Sequence, residues 1–203
     1  MEKKTHLAFG NAVSLSVLRP TTITGLLITV GVSTLSSILP DVDLKNSDID
    51  KLFDKLMIIL CTFFITCCAL DHIFNLGLID IIKDFKSIPK YIVSIVVLII
   101  LSFMSSKTPH RSFTHSIIAL IIFSSVVKFG FNNEVLFPFV IGYFSHIFLD
   151  IFNMSGISLL YPIRKRMCFN LCDSHGFANS LIFYLSCIVN VFAIIILIAK
   201  ILV

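Results

Sequence analysis

The stretch GYFSHIFLDIF, residues 142–152, is apolar enough for lipid, yet His146 and Asp150 sit four residues apart inside it. Four residues is just over one helical turn, so the imidazole and the carboxylate share a face. An Asp in the middle of a membrane helix costs roughly 2.5–3.5 kcal/mol on insertion scales, so something must offset it. Whether this run lies in a membrane decides the fold, and composition answers. The 203 residues are 57% hydrophobic and 14% charged, with a mean hydropathy of +0.98. A soluble domain sits near ~45–50% apolar and ~25% charged.

The expected class is therefore all-α, a polytopic membrane helical bundle forming one domain over residues 1–203. Apolar runs at 6–18, 22–39, 56–79, 91–106, 113–129, 135–152 and 180–200 give six to seven membrane segments. Several fall short of the ~20 residues a straight span needs, so partial spans are expected. The run 56–79 is interrupted by Asp71 and His72. No cleaved leader is expected, because MEKKTHLAFGNAVSLSVLRP lacks a small-residue cleavage pattern. Trp is absent, leaving Tyr91, Tyr161 and Tyr184 as weak interfacial anchors. The net charge of +4 is ordinary for basic loops and no nucleic-acid partner is expected. Cys61, Cys67, Cys68 and Cys187 fall in apolar runs as small hydrophobes. Cys168, Cys172 and His175 lie close together, but three donors are one short of a closed zinc site.

Following the segments back and forth shows which ends meet. The first starts at His6 and stops near Arg19-Pro20-Thr21, where proline breaks the helix. The second returns LPDVD, residues 39–43, to the side of His6. The next pair returns the loop SSKTPHRSFTHS, and another excursion returns Asp150. Topology thus gathers His6, Asp41, Asp43, His110, His115, His146 and Asp150 at one end, while Asp71 and His72 project to the other. A shared cation compensates buried carboxylates better than scattered dipoles do. Of the Lys and Arg residues, ten lie in site-side loops and six opposite, which favours a cytoplasmic site.

Within HRSFTHS, Pro109 points to a helix starting at His110. On that helix His110 and His115 are about 140° apart, so they serve two ions, or one binds while the other acts as acid or base. Asp41, directly after Pro40, is the better ligand of its pair; Asp43 is a second ligand or a general base. Ser145 and Thr114 are candidate supporting donors around the His146–Asp150 pair.

THLAFG at 5–10, LPDVD at 39–43, HRSFTHS at 110–116, GYFSHIFLD at 142–150 and ISLLYPI at 157–163 occur in an order and spacing that resembles a bacterial family. It is the LexA-binding, inner-membrane-associated metal-dependent hydrolase family. The resemblance covers residues 5 to about 166 and implies a metal held by His6, Asp41, His110, His115, His146 and Asp150. Some members carry an acid after a Gly-Asn pair in the later loop; SHGFANSLIF at 174–183 has none, so no ligand is assigned there. The resemblance also brings a LexA connection that these residues do not themselves carry, and no nucleic-acid contact is expected from it.

Mixed His and carboxylate donors suit Zn, Mn or Fe, as one or two ions. The expected activity is hydrolysis of an ester, phosphoester or amide at the interface of the bacterial inner membrane, with membrane lipids as partners and a lipid as candidate substrate. Asp43 or His115 would handle the proton, and Arg111 with Arg164, Lys165 and Arg166 would receive an anionic head group. No Gly-rich phosphate loop, nucleophile elbow or HExxH motif is present. The alternatives are a seven-helix zinc amidase resembling the alkaline ceramidases and a divalent-cation transporter. The gathering of polar groups at one end favours an enzyme over a transporter.

Overall fold

The computed structural model describes residues 1–43, 90–163, 165–173 and 176–202, with the side chains of 42, 43 and 202 excepted. The expected segment at 56–79, with Asp71 and His72, lies outside the described residues, as do Arg164 and His175.

Helix α1, Lys3–Leu18, ends where Arg19 turns left-handed (φ 45°) ahead of Pro20. Thr22 then caps α2, Ile23–Ile38, by accepting a hydrogen bond from the Gly25 N–H at 3.0 Å. A 3₁₀ helix, Leu39–Asp43, continues α2 and carries Asp41. Helix α3 is Lys90–Ser106, α4 is Ile117–Gly130, α5 is Asn133–Phe152 and α6 is Phe177–Leu202. The described chain is helical, and its bridges are the isolated pairs Asn153–Cys172 and Ile157–Met167.

Three described stretches are long and apolar enough to cross a membrane: Ile23–Asp41, Asn133–Phe152 and Phe177–Ile201. Helices α3 and α4 are apolar but shorter. The wider expectation of six to seven crossings therefore rests on segments that are short or outside the described residues.

Helix α5 is the hub, packed against α1, α2, α4 and the 3₁₀ helix. Close approach, made possible by missing side chains, sets this packing. A Cβ on Gly142 would lie 2.7 Å from the Ser33 carbonyl oxygen, and one on Gly10 would collide with Ser37. Small residues bring membrane helices together because lipid offers no hydrophobic drive for association. Asn11 donates to Thr34 Oγ1 at 2.8 Å and accepts from the Ser33 hydroxyl, joining α1 to α2. Ala119, Phe123, Tyr143 and Ile147 form the apolar core between α4 and α5. Helix α6 packs on α1 and leaves Phe192 and Tyr184 exposed, as a lipid-facing helix does.

After α5 the chain folds back as a strap across the end of the bundle. Ile157 and Met167 exchange backbone hydrogen bonds at 3.0 and 2.8 Å, and the Ser158 N–H reaches the Arg111 carbonyl at 3.0 Å. The ISLLYPI motif thus lies against the loop that carries the HRSFTHS motif.

Candidate metal centre

Four elements deliver donors to one point at this end. Helix α1 supplies His6, the 3₁₀ helix Asp41, the loop before α4 His115, and α5 both His146 and Asp150. His6, His115, His146 and Asp150 are each no more than 1% exposed. The Asp150 carboxylate lies at the centre. Its Oδ1 is 3.3 Å from His6 Nε2, and its Oδ2 is 3.4 Å from His115 Nε2 and 3.7 Å from His146 Nε2. Asp41 Oδ1 is 3.7 Å from both His115 Nε2 and His146 Nε2. The result is two overlapping triads, His6–His146–Asp150 and Asp41–His115–His146, each with its ligand atoms within 4.8 Å of one another.

The donors are also oriented. His146 Nδ1 lies 2.6 Å from the Ser37 carbonyl, which only accepts, so Nδ1 carries the proton and Nε2 offers a lone pair. His115 Nδ1 is 3.0 Å from Thr114 Oγ1, and the Tyr143 hydroxyl donates to the Thr114 carbonyl at 2.7 Å. His6 stacks on His146 with ring centroids 3.9 Å apart. Its Nδ1 has no hydrogen-bond partner among the described residues.

These spacings fit a metal. Tetrahedral ligands 2.0–2.2 Å from an ion lie about 3.4 Å from each other. The Nε2 atoms of His115 and His146 are 3.2 Å apart, where facing lone pairs repel unless a proton or cation lies between them.

The other expected residues divide. Arg111 leans in, its Nε 3.9 Å from Asp150 Oδ2. His110 stands edge-on to His115 at 5.6 Å between ring centroids, half-buried and in neither triad. The helix start expected at His110 is corrected: residues 110–116 form turns, Arg111 is left-handed (φ 62°), and α4 begins at Ile117. Ser116 is the cap, accepting from the Ala119 N–H at 3.1 Å, so the helical angle between His110 and His115 does not apply. The Asp43 side chain lies outside the described residues. Ser145 is buried, whereas Cys168 is exposed and Cys172 lies in the strap, outside both triads.

Three contributors had not been expected. The Met1 ammonium lies 3.1 Å from Asp150 Oδ1, and no side-chain pattern signals such a contact. The Ser37 carbonyl is equally invisible in the order of residues. Tyr143 was within reach, since it precedes His146 by three positions and shares its face.

A search of curated proteins and of solved structures finds no match. The model of the YdjM inner membrane protein family matches residues 1–202. This supports the inner-membrane part of the resemblance and agrees with the apolar helices. The chain belongs to the YdjM inner membrane protein family.

Proposed function

We propose that this chain is a metal-dependent hydrolase of the inner membrane, acting at the cytoplasmic interface on a lipid or another anionic ester or phosphoester. The observation that carries the reading is the convergence of three imidazole Nε2 atoms on two buried or nearly buried carboxylates, with neighbouring donors 3.2–3.7 Å apart. His6, Asp41, His115, His146 and Asp150 would hold the ion, of a type suited to mixed nitrogen and oxygen donors such as Zn, Mn or Fe. When bound, such an ion makes water nucleophilic at neutral pH and polarises the substrate oxygen.

The chain's own residues do the rest. Ser37 and Thr114 orient two of the imidazoles, as outer partners of metal-binding histidines do. The guanidinium of Arg111, 12% exposed and beside Asp150, orients an anionic substrate. Lys165 and Arg166 are exposed on the strap and draw anionic head groups toward it. With His115 among the residues that would hold the ion, Asp43 is the residue that would take the proton.

The test is elemental analysis of detergent-purified protein beside His146→Ala and Asp150→Asn, followed by turnover of ester and phosphoester lipids. The expected result is one or two equivalents of transition metal, lost in both variants together with turnover. Wild-type protein that stays metal-free after loading with Zn²⁺ or Mn²⁺ overturns the reading.

A second reading, a divalent-cation transporter, draws on one observation. The partly buried Asn11–Ser33–Thr34 cluster continues the polar environment from the site down the α1–α2 interface. Zn²⁺ or Mn²⁺ flux into proteoliposomes without turnover would favour it.

A further inference from the structure

An apolar groove of about 670 Å³ runs along α2 and ends at Asp41. Ile28, Val32 and Leu35 of α2 form one wall, and Leu98 of α3, Val127 of α4 and Phe139 of α5 form the other. Among the described residues, two ionisable side chains line it, Lys3 and Asp41. Because α1 starts, and α2 ends, at the metal-centre end of the bundle, both charges sit at the same mouth. From Ile28 to Leu39 the groove follows α2 for about 16 Å at 1.5 Å per residue. That is close to half of the ~30 Å hydrocarbon core, the depth of one leaflet.

Such walls do not hold water, which needs two to four polar partners. The medium around a membrane helix is acyl chain, and one acyl chain spans one leaflet. Asp41 closes the stretch Ile23–Asp41 that is long and apolar enough to span, which puts the mouth at head-group depth. A chain lying in the groove therefore presents its head-group junction to Asp41, at the mouth that Lys3 also lines.

We infer that this groove holds one acyl chain of an anionic phospholipid, with Lys3 selecting the negative head group and Asp41 marking where the first ester or phosphoester meets the metal centre. The chemistry after binding rests on the hydrolase reading, although the binding itself does not need the metal. The substrate class is thereby narrowed from anionic esters in general to membrane phospholipids.

The experiment uses the full chain in nanodiscs containing phosphatidylglycerol with a diazirine on one acyl chain, or the matching phosphatidylcholine, and maps the photolabel by mass spectrometry. Wild-type protein is expected to carry the label on Val32, Leu98 and Phe139 above the level on the lipid-facing residues of α6. Val32→Trp and, independently, Leu98→Trp should fill the groove and bring labelling down to the α6 level. Lys3→Gln should reduce the preference for phosphatidylglycerol about fivefold, the equivalent of ~1 kcal/mol for one basic residue near an anionic surface. Uniform labelling of all lipid-facing helices overturns the proposal. So does a photocrosslinker placed at Val32 that captures residues 56–79 of the chain itself in place of lipid. Repeating the labelling with Asp150→Asn separates the two readings. Groove labelling that persists in Asp150→Asn shows that binding does not need the metal. Wild-type protein with groove labelling but neither metal nor turnover leaves the binding site standing and removes the hydrolase, and turnover without groove labelling does the reverse.

Discussion

His146 points its Nδ1 at the Ser37 carbonyl, 2.6 Å away across the α2–α5 contact, and so turns its Nε2 toward Asp41, His115 and Asp150. The bond joins packing to chemistry, because Gly142, with no side chain, lets α5 lie directly against Ser33 and Ser36 of α2. It also answers how an apolar helix accommodates an imidazole and a carboxylate. Both ionisable groups face donors from three other elements, and neither faces lipid.

His146 belongs to both triads, whereas His110 belongs to neither. His146→Ala is therefore expected to abolish stoichiometric metal binding, and His110→Ala to leave the metal content unchanged. Elemental analysis of the two purified variants checks this. Equal loss in both would show that His110 reaches the ion.

Tyr143→Phe keeps the ring in its core position and removes only the hydroxyl that donates to the Thr114 carbonyl at 2.7 Å. That carbonyl belongs to the residue whose hydroxyl orients His115. Loss of such an outer partner typically costs about 10–100-fold in metal affinity. Competition with a fluorescent zinc chelator measures it, with circular dichroism confirming an unchanged helix content.

A methyl group at Gly142 would press on the Ser33 backbone, whereas one at Gly31 meets nothing within 4 Å. Gly142→Ala should destabilise the bundle by about 1–3 kcal/mol through overpacking. Gly31→Ala, on an exposed helical position, should be neutral or stabilising by up to about 1 kcal/mol. Thermal unfolding in detergent of the matched pair is the measurement, and equal midpoints would contradict the α2–α5 contact.

Asn11 bonds both Ser33 and Thr34 from the neighbouring helix. Interhelical hydrogen bonds in membrane proteins average ~0.6 kcal/mol and reach ~1.7 kcal/mol. Asn11→Ala should lower stability within that range while leaving metal content intact. Loss of metal on this change would mean that the cluster supports the centre as well as the helix pair.

Much of this protein was legible in its residues alone. Apolar content established a membrane chain, and Arg19-Pro20-Thr21 marked the α1–α2 turn. Reading the apolar runs as alternating crossings predicted the shared end at which the structure places His6, Asp41, His115, His146 and Asp150. Those features are local or come from counting passes, so they survive without knowledge of the packing. The tertiary structure decided the rest. Ser116, not Pro109, starts α4, because the Ser116 hydroxyl caps the Ala119 N–H, so the loop before it, free of helical spacing, brings His115 in and leaves His110 at the edge. The Met1 ammonium, the Ser37 carbonyl and the groove from Ile28 to Asp41 have no signature in residue order, since each depends on how closely two helices approach. The chain's order determined which residues share an end of the bundle; glycine-sized contacts between helices determined which of them touch.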